Sequence, residues 1–119
     1  MGLVLIGISH KTAPIMVRER FSFTNARLKE SLIKLKSIDS ALGVIVLSTC
    51  NRMEIYAHLA NINLGMQRIT EFLINTFLVK EELIRRYFYV LNGADVIRHI
   101  FKVACGLDSQ ILGETQILG

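Results

Sequence analysis

The stretch Gly43–Leu59, GVIVLSTCNRMEIYAHL, constrains this chain more than any other. Val44, Ile45, Val46 and Leu47 form a continuous apolar run, the pattern of a strand buried on both faces. Met53 to His58 reads as a second strand, and only Ser48-Thr49-Cys50-Asn51-Arg52 separates the two. A link this short makes the pair a hairpin, so the core grows around antiparallel neighbours. The link itself is polar and charged. A cysteine there is held by rigid scaffold yet open to a substrate, which is what a nucleophile requires. Arg52, two positions on, can neutralise an anion or favour the thiolate over the thiol. Taken alone, Cys50 reads equally well as a small buried hydrophobe, the commoner use of a single cysteine.

The flanking chain supplies the rest of a sheet. Leu3 to Ile8 is an apolar strand ending at Ser9, and Pro14, the only proline, closes the turn that follows and can open a helix. His10 in that turn either caps backbone groups or stands on the rim of the Cys50 site. Arg18, Glu19 and Arg20 follow a short helical turn. Thr24 or Asn25 caps a helix to about Ser37, with Leu28, Leu32 and Leu35 inward. Its Arg27, Lys29, Lys34 and Lys36 form either a solvated face or a phosphate-contact surface. Asn61 or Asn63 opens a second helix to about Phe77, with Ile69, Phe72, Leu73 and Phe77 on its buried side. Lys80 to Arg86 reads as a further helical turn and Tyr87 to Leu91 as a last strand. The order β-α-β-β-α-β predicts an α+β, ferredoxin-like antiparallel sheet backed by helices.

An additional C-terminal helix is expected from Asp95 to about Leu107, capped by Asn92 and ended by Gly106. Val96, Ile97, Ile100, Phe101 and Ala104 would line its core side. His99 stands inside that apolar pattern, where a histidine satisfied by a backbone carbonyl is the ordinary occupant. Gly113-Glu114-Thr115-Gln116 would begin another segment.

Composition excludes several classes. With 119 residues, 51% hydrophobic and 20% charged, the chain suits one folded domain and not a disordered segment. No apolar run reaches the roughly 18 residues that read as a membrane span. Met1 leads almost directly into the first strand, leaving no room for a leader, so a cytoplasmic location with reduced thiols is expected. Cys50 and Cys105 form no CxxC pair and cannot supply a four-cysteine zinc site. A net charge of +4 permits a nucleic-acid partner without demanding one. No glycine-rich dinucleotide fingerprint follows any predicted strand.

Three separated motifs carry a resemblance: Gly7-Ile8-Ser9-His10-Lys11-Thr12-Ala13-Pro14, Ser48-Thr49-Cys50-Asn51-Arg52, and Gly106-Leu107-Asp108-Ser109 with Gly113-Glu114. Together, in this order, they closely resemble the glutamyl-tRNA reductase family, whose members make glutamate-1-semialdehyde for tetrapyrrole synthesis. The resemblance runs over nearly the whole chain. It implies a catalytic, glutamyl-binding domain over 1–119, with the ferredoxin-like fold and with the NADPH-binding and dimerisation domains absent from this chain. It implies that Cys50 attacks the glutamyl-tRNA ester to form a thioester, which NADPH then reduces in the full-length enzyme. His99 matches a histidine the family needs. Thr49, Asn51 and Arg52 would help hold the glutamyl group, Arg52 by bidentate pairing with its α-carboxylate. Ser109 and Glu114-Thr115-Gln116 would complete the pocket, Glu114 taking the substrate ammonium. The implied partners are glutamyl-tRNA, a second copy in a homodimer, and glutamate-1-semialdehyde aminomutase as receiver of the product.

Two positions depart from the family pattern. Cys105 stands where serine is usual and is expected to be a small packed residue, and Thr115 stands where proline is common. A different class remains open beside the reductase: a ferredoxin-like RNA-binding module without catalysis, which would display aromatics on its sheet face. Tyr56, Tyr87, Phe88 and Tyr89 are the candidates for that role. A cysteine-dependent hydrolase is a third reading.

Overall fold

The computed structural model describes residues 1–106. Its elements are β1 (Gly2–Ser9), α1 (Ile15–Glu19), α2 (Asn25–Lys36), β2 (Ala41–Ser48), β3 (Arg52–Leu59), α3 (Ile62–Phe77), α4 (Glu81–Tyr87), β4 (Tyr89–Asn92) and α5 (Ala94–Ala104). The strands form one sheet in the order β2-β3-β1-β4, each pair antiparallel. Setting aside the short α1 and α4, this is the expected ferredoxin-like βαββαβ arrangement, with α5 added.

Alternation along β3 divides the molecule in two. Met53, Ile55, Ala57 and Leu59 point to one face, opposite Ile8, Ile6 and Val4 of β1. They join Leu35 of α2 and Ile69, Leu73 and Phe77 of α3 in the main apolar core. Both long helices start where a side chain can satisfy an otherwise orphaned N–H. Thr24 Oγ1 accepts from the Arg27 N–H at 3.2 Å, and Asn61 Oδ1 from the Leu64 N–H at 3.1 Å. Arg52, Glu54 and Tyr56 occupy the opposite face, where a smaller cluster of Leu5, Tyr56 and Val96 lies under α5.

Three expectations are corrected here. The apolar run Val44–Leu47 is not a strand buried on both faces. β2 is the sheet edge, with Val44 and Val46 packed against the main core and Ile45 61% exposed. The reason is that α5 packs against β4 and β1, at the far side of the sheet, and leaves the outer face of β2 uncovered. Second, Asn92 ends β4, and the α5 cap is Gly93, whose φ of 57° is a backbone conformation that favours glycine. Third, α5 buries only Val96 and Val103, with His99 between them on the same side. That phase turns Ile97, Ile100 and Phe101 outward, so they do not line a core.

Candidate active site

The turn between β2 and β3 is tied from within. The Thr49 N–H donates to the Arg52 carbonyl at 2.8 Å, while Thr49 Oγ1 accepts from the N–H groups of Asn51 and Arg52, both at 3.2 Å. From outside, the His10 N–H donates to the Asn51 carbonyl at 2.9 Å, which fastens the end of β1 to the turn. Arg18 adds a second tether. Its Nη1 donates to the Cys50 carbonyl at 3.0 Å and its Nε to the Ala13 carbonyl at 3.2 Å. Asn51 is buried, and its side-chain Nδ2 makes no hydrogen bond among the described residues. Cys50 is exposed at the tip of this fixed turn. It edges a cavity of about 240 Å³ together with Arg18, Glu19, Ser22, Thr49 and Arg52.

Behind the turn, the polar face of β3 converges on one carboxylate. Glu54 is fully buried. Its Oε1 accepts from the Tyr56 hydroxyl at 2.7 Å. Its Oε2 accepts from the Tyr89 hydroxyl, lies 2.5 Å from His99 Nε2, and is 3.4 Å from Arg52 Nη1. Tyr89 reaches Glu54 across the intervening strand because Gly7 stands between them in register. A Cβ at Gly7 would come within 2.8 Å of Glu54 Cγ and 3.1 Å of the Tyr89 hydroxyl. Burial, and then the Glu54 charge, push the Tyr89 hydroxyl above its ordinary value of 10.0, so it remains a donor.

Cys50, Thr49 and Arg52 therefore share one cavity wall, as the sequence suggested. His99 does not line that cavity. It edges a separate one of about 230 Å³ with Ser9, Lys11, Thr12, Tyr89 and Leu91, and connects to Arg52 only through Glu54. The histidine is held by a carboxylate and not by a backbone carbonyl. The Arg52 side chain is enclosed, with its guanidinium beside Glu54. Cys105, expected to be packed, is exposed at the C-terminal end of α5, where the helix turns its outer side to solvent. Ser109, Glu114, Thr115 and Gln116 lie outside the described residues.

Sequence reasoning passed over Glu54, Tyr89 and Arg18. For Glu54 a signal was present: in RMEIYAHL the polar residues recur at every second position, which marks a second buried face with its own chemistry. The aromatics proposed for RNA stacking are used internally. Tyr56 is buried on Glu54, Tyr89 donates to Glu54, and the Phe88 ring meets Phe21 edge-on at 4.8 Å. Arg27, on the basic helix, donates to the Thr76 carbonyl at 2.6 Å and lies over the Phe77 ring.

Comparison with known proteins places this arrangement. The profile of the family described as "Glutamyl-tRNAGlu reductase, N-terminal domain" matches residues 6–119. Glutamyl-tRNA reductase of Heliobacterium mobile is 45% identical over 119 residues, covering 100% of this chain and 27% of that protein. The Desulfitobacterium hafniense protein of the same name is 44% identical over 116 residues, covering 98% of this chain and 26% of its own length. Among solved structures, glutamyl-tRNA reductase from Methanopyrus kandleri superposes with a TM-score of 0.66 at 32% identity, over 98% of this chain and 25% of that one. The chain thus spans about a quarter of the length of these relatives. It belongs to the family of glutamyl-tRNA reductase N-terminal domains.

Proposed function

We propose that this chain performs the acyl-transfer half of the glutamyl-tRNA reductase reaction, in the cytoplasm and on the route to tetrapyrroles. The observation that carries the reading is the exposed Cys50 on a turn fixed by Thr49, Arg18 and His10, at the edge of an open cavity. In the step, the Cys50 sulfur bonds to the acyl carbon of the glutamyl ester and the carbon–oxygen bond to the tRNA ribose breaks. The thiol proton leaves with the ribose oxygen, so a thioester and free tRNA result. Fixing the turn holds the sulfur in place before the substrate arrives, which is the main lever for such a reaction.

Arg52 is the candidate for the substrate α-carboxylate, with Thr49 and Asn51 beside it and Ser109, Glu114, Thr115 and Gln116 completing the pocket. The buried Asn51 amide supports this, because a donor without an acceptor costs roughly 1–3 kcal/mol that a ligand oxygen would recover. Arg18 adds a second cation at the same cavity. His99 and Cys50 edge different cavities, so we assign His99 to orientation within the Glu54 array and not to direct proton transfer with the thiol.

The described residues do not fit NADPH. The strand-to-helix turns at 10–14, 60–61 and 93 hold no glycine-rich phosphate cradle. We therefore place NADPH binding, hydride transfer and dimerisation on domains outside this chain, and the receiving aminomutase as a partner of the whole enzyme. The test follows from that division. Incubated with glutamyl-tRNA, the 119-residue chain should release free glutamate slowly, water being the remaining acceptor, and added NADPH should not divert it to the aldehyde. Aldehyde production by this chain alone would contradict the reading.

A further inference from the structure

Glu54 is an expensive residue to keep where it stands. It sits in mid-sheet at 0% exposure, and its own register partners on that face are Leu47 and Gly7. Burying a carboxylate is unfavourable unless it is fully paired, and an apolar side chain of similar size would usually serve stability as well. What a paired carboxylate adds is direction. Four side chains from three elements end on it: Arg52 and Tyr56 from β3, Tyr89 from β4 and His99 from α5. Gly7 of β1 is the opening that lets β4 take part.

We infer that Glu54 is a positioning residue for the acyl transfer, holding the Arg52 guanidinium beside the Cys50 turn and fixing His99 as the tautomer protonated at Nε2. The inference rests on the reductase reading for its effect on rate, and on geometry alone for the array. A carboxylate only accepts, so the imidazole nitrogen facing it carries the hydrogen and the lone pair of the neutral ring falls on Nδ1. Arg52 leads directly out of the turn that carries Cys50, and its backbone N–H and carbonyl are two of the turn's hydrogen-bonding groups. A guanidinium that lost its carboxylate would be free to swing, and the turn would lose the anchor at its C-terminal end. His99, two cavities away from the thiol in function, acts on it through this chain of contacts.

The experiment has two readouts on the 119-residue chain. The first is the nitrogen NMR signature of the His99 ring at alkaline pH, where the ring is neutral. The second is glutamyl-thioester formation from glutamyl-tRNA, measured per folded molecule. Wild type should show the ring protonated at Nε2. Glu54→Gln, which keeps shape and loses charge, should mix the two tautomers and lower the rate at saturating substrate about 100-fold, the lower end of what loss of an oriented acid–base group costs. KM should change by no more than a few-fold, because contacts to the tRNA body are untouched. Glu54→Asp, which retains the charge, should recover part of both signals and carries the comparison should the glutamine variant not fold. A wild-type ring protonated at Nδ1, or a glutamine variant with wild-type tautomer and rate, would overturn the inference. Absence of any thioester in wild type would contradict the reductase reading instead, and the ring signature would still decide the array.

Discussion

The two faces of this sheet are made from the same strands and follow opposite rules. On one face Met53, Ile55, Ala57 and Leu59 meet Ile8, Ile6 and Val4 beneath α2 and α3, and the contact is apolar throughout. On the other, Arg52, Glu54 and Tyr56 meet Gly7 and Tyr89 beneath α5, and the centre of the contact is a carboxylate. Apolar packing is non-directional and forgives changes of shape that keep volume. A buried polar array is directional, and removing one member leaves the others unsatisfied. The first face supplies stability, and the second sets the orientation of the turn that bears Cys50.

A pair of substitutions would break this comparison most forcefully. Leu73→Ala, on the apolar face, should cost roughly 2–5 kcal/mol of stability, as large-to-small changes at fully buried sites do. Thioester formation per folded molecule should hardly change. Gly7→Ala, on the polar face, should cost less stability, roughly 1–3 kcal/mol for overpacking. Its added methyl would nevertheless part Tyr89 from Glu54 and cut the rate more than ten-fold. Denaturation curves paired with thioester rates check both. Equal loss of rate in the two variants would remove the distinction between the faces.

A smaller effect sharpens it. Tyr89→Phe removes one of the donors to Glu54 and leaves the others, so a loss of about 1 kcal/mol is expected. Its pH dependence is more informative than its size. Burial and the Glu54 charge raise the folded-state value of Tyr89 above 10.0. The unfolded chain therefore loses this proton first as pH rises, and the tyrosine's contribution, complete below pH 10.0, declines above it. Stability of the wild type should fall more steeply above that point than stability of Tyr89→Phe. Parallel curves would mean that Tyr89 is not enclosed with the carboxylate.

Much of the fold was legible because helix caps and strand alternation are local. Thr24 and Asn61 announce their helices, and the β-α-β-β-α-β order follows from spacing. The edge position of β2 was not legible, since an apolar run says that a strand packs somewhere and not how many neighbours it has. The outward turn of Ile97, Ile100 and Phe101 was hidden for a related reason: α5 is apolar around much of its circumference, and only tertiary docking selects the stripe. Of the site, Cys50 and its turn were visible as a polar cluster between two strands. The Glu54 array was not, because its members come from three elements and from a glycine whose meaning lies in the space it leaves.

The central claim is that Cys50 is the nucleophile, and trapping tests it most directly. Incubated with glutamyl-tRNA carrying labelled glutamate and quenched in acid, the wild-type chain should hold label on a peptide containing Cys50, released by hydroxylamine as a thioester requires. Cys50→Ser should hold none, because a hydroxyl is far less nucleophilic than a thiolate, and Cys105→Ser should hold as much as wild type. Label on Cys105, or equal loss in the two serine variants, would contradict the account.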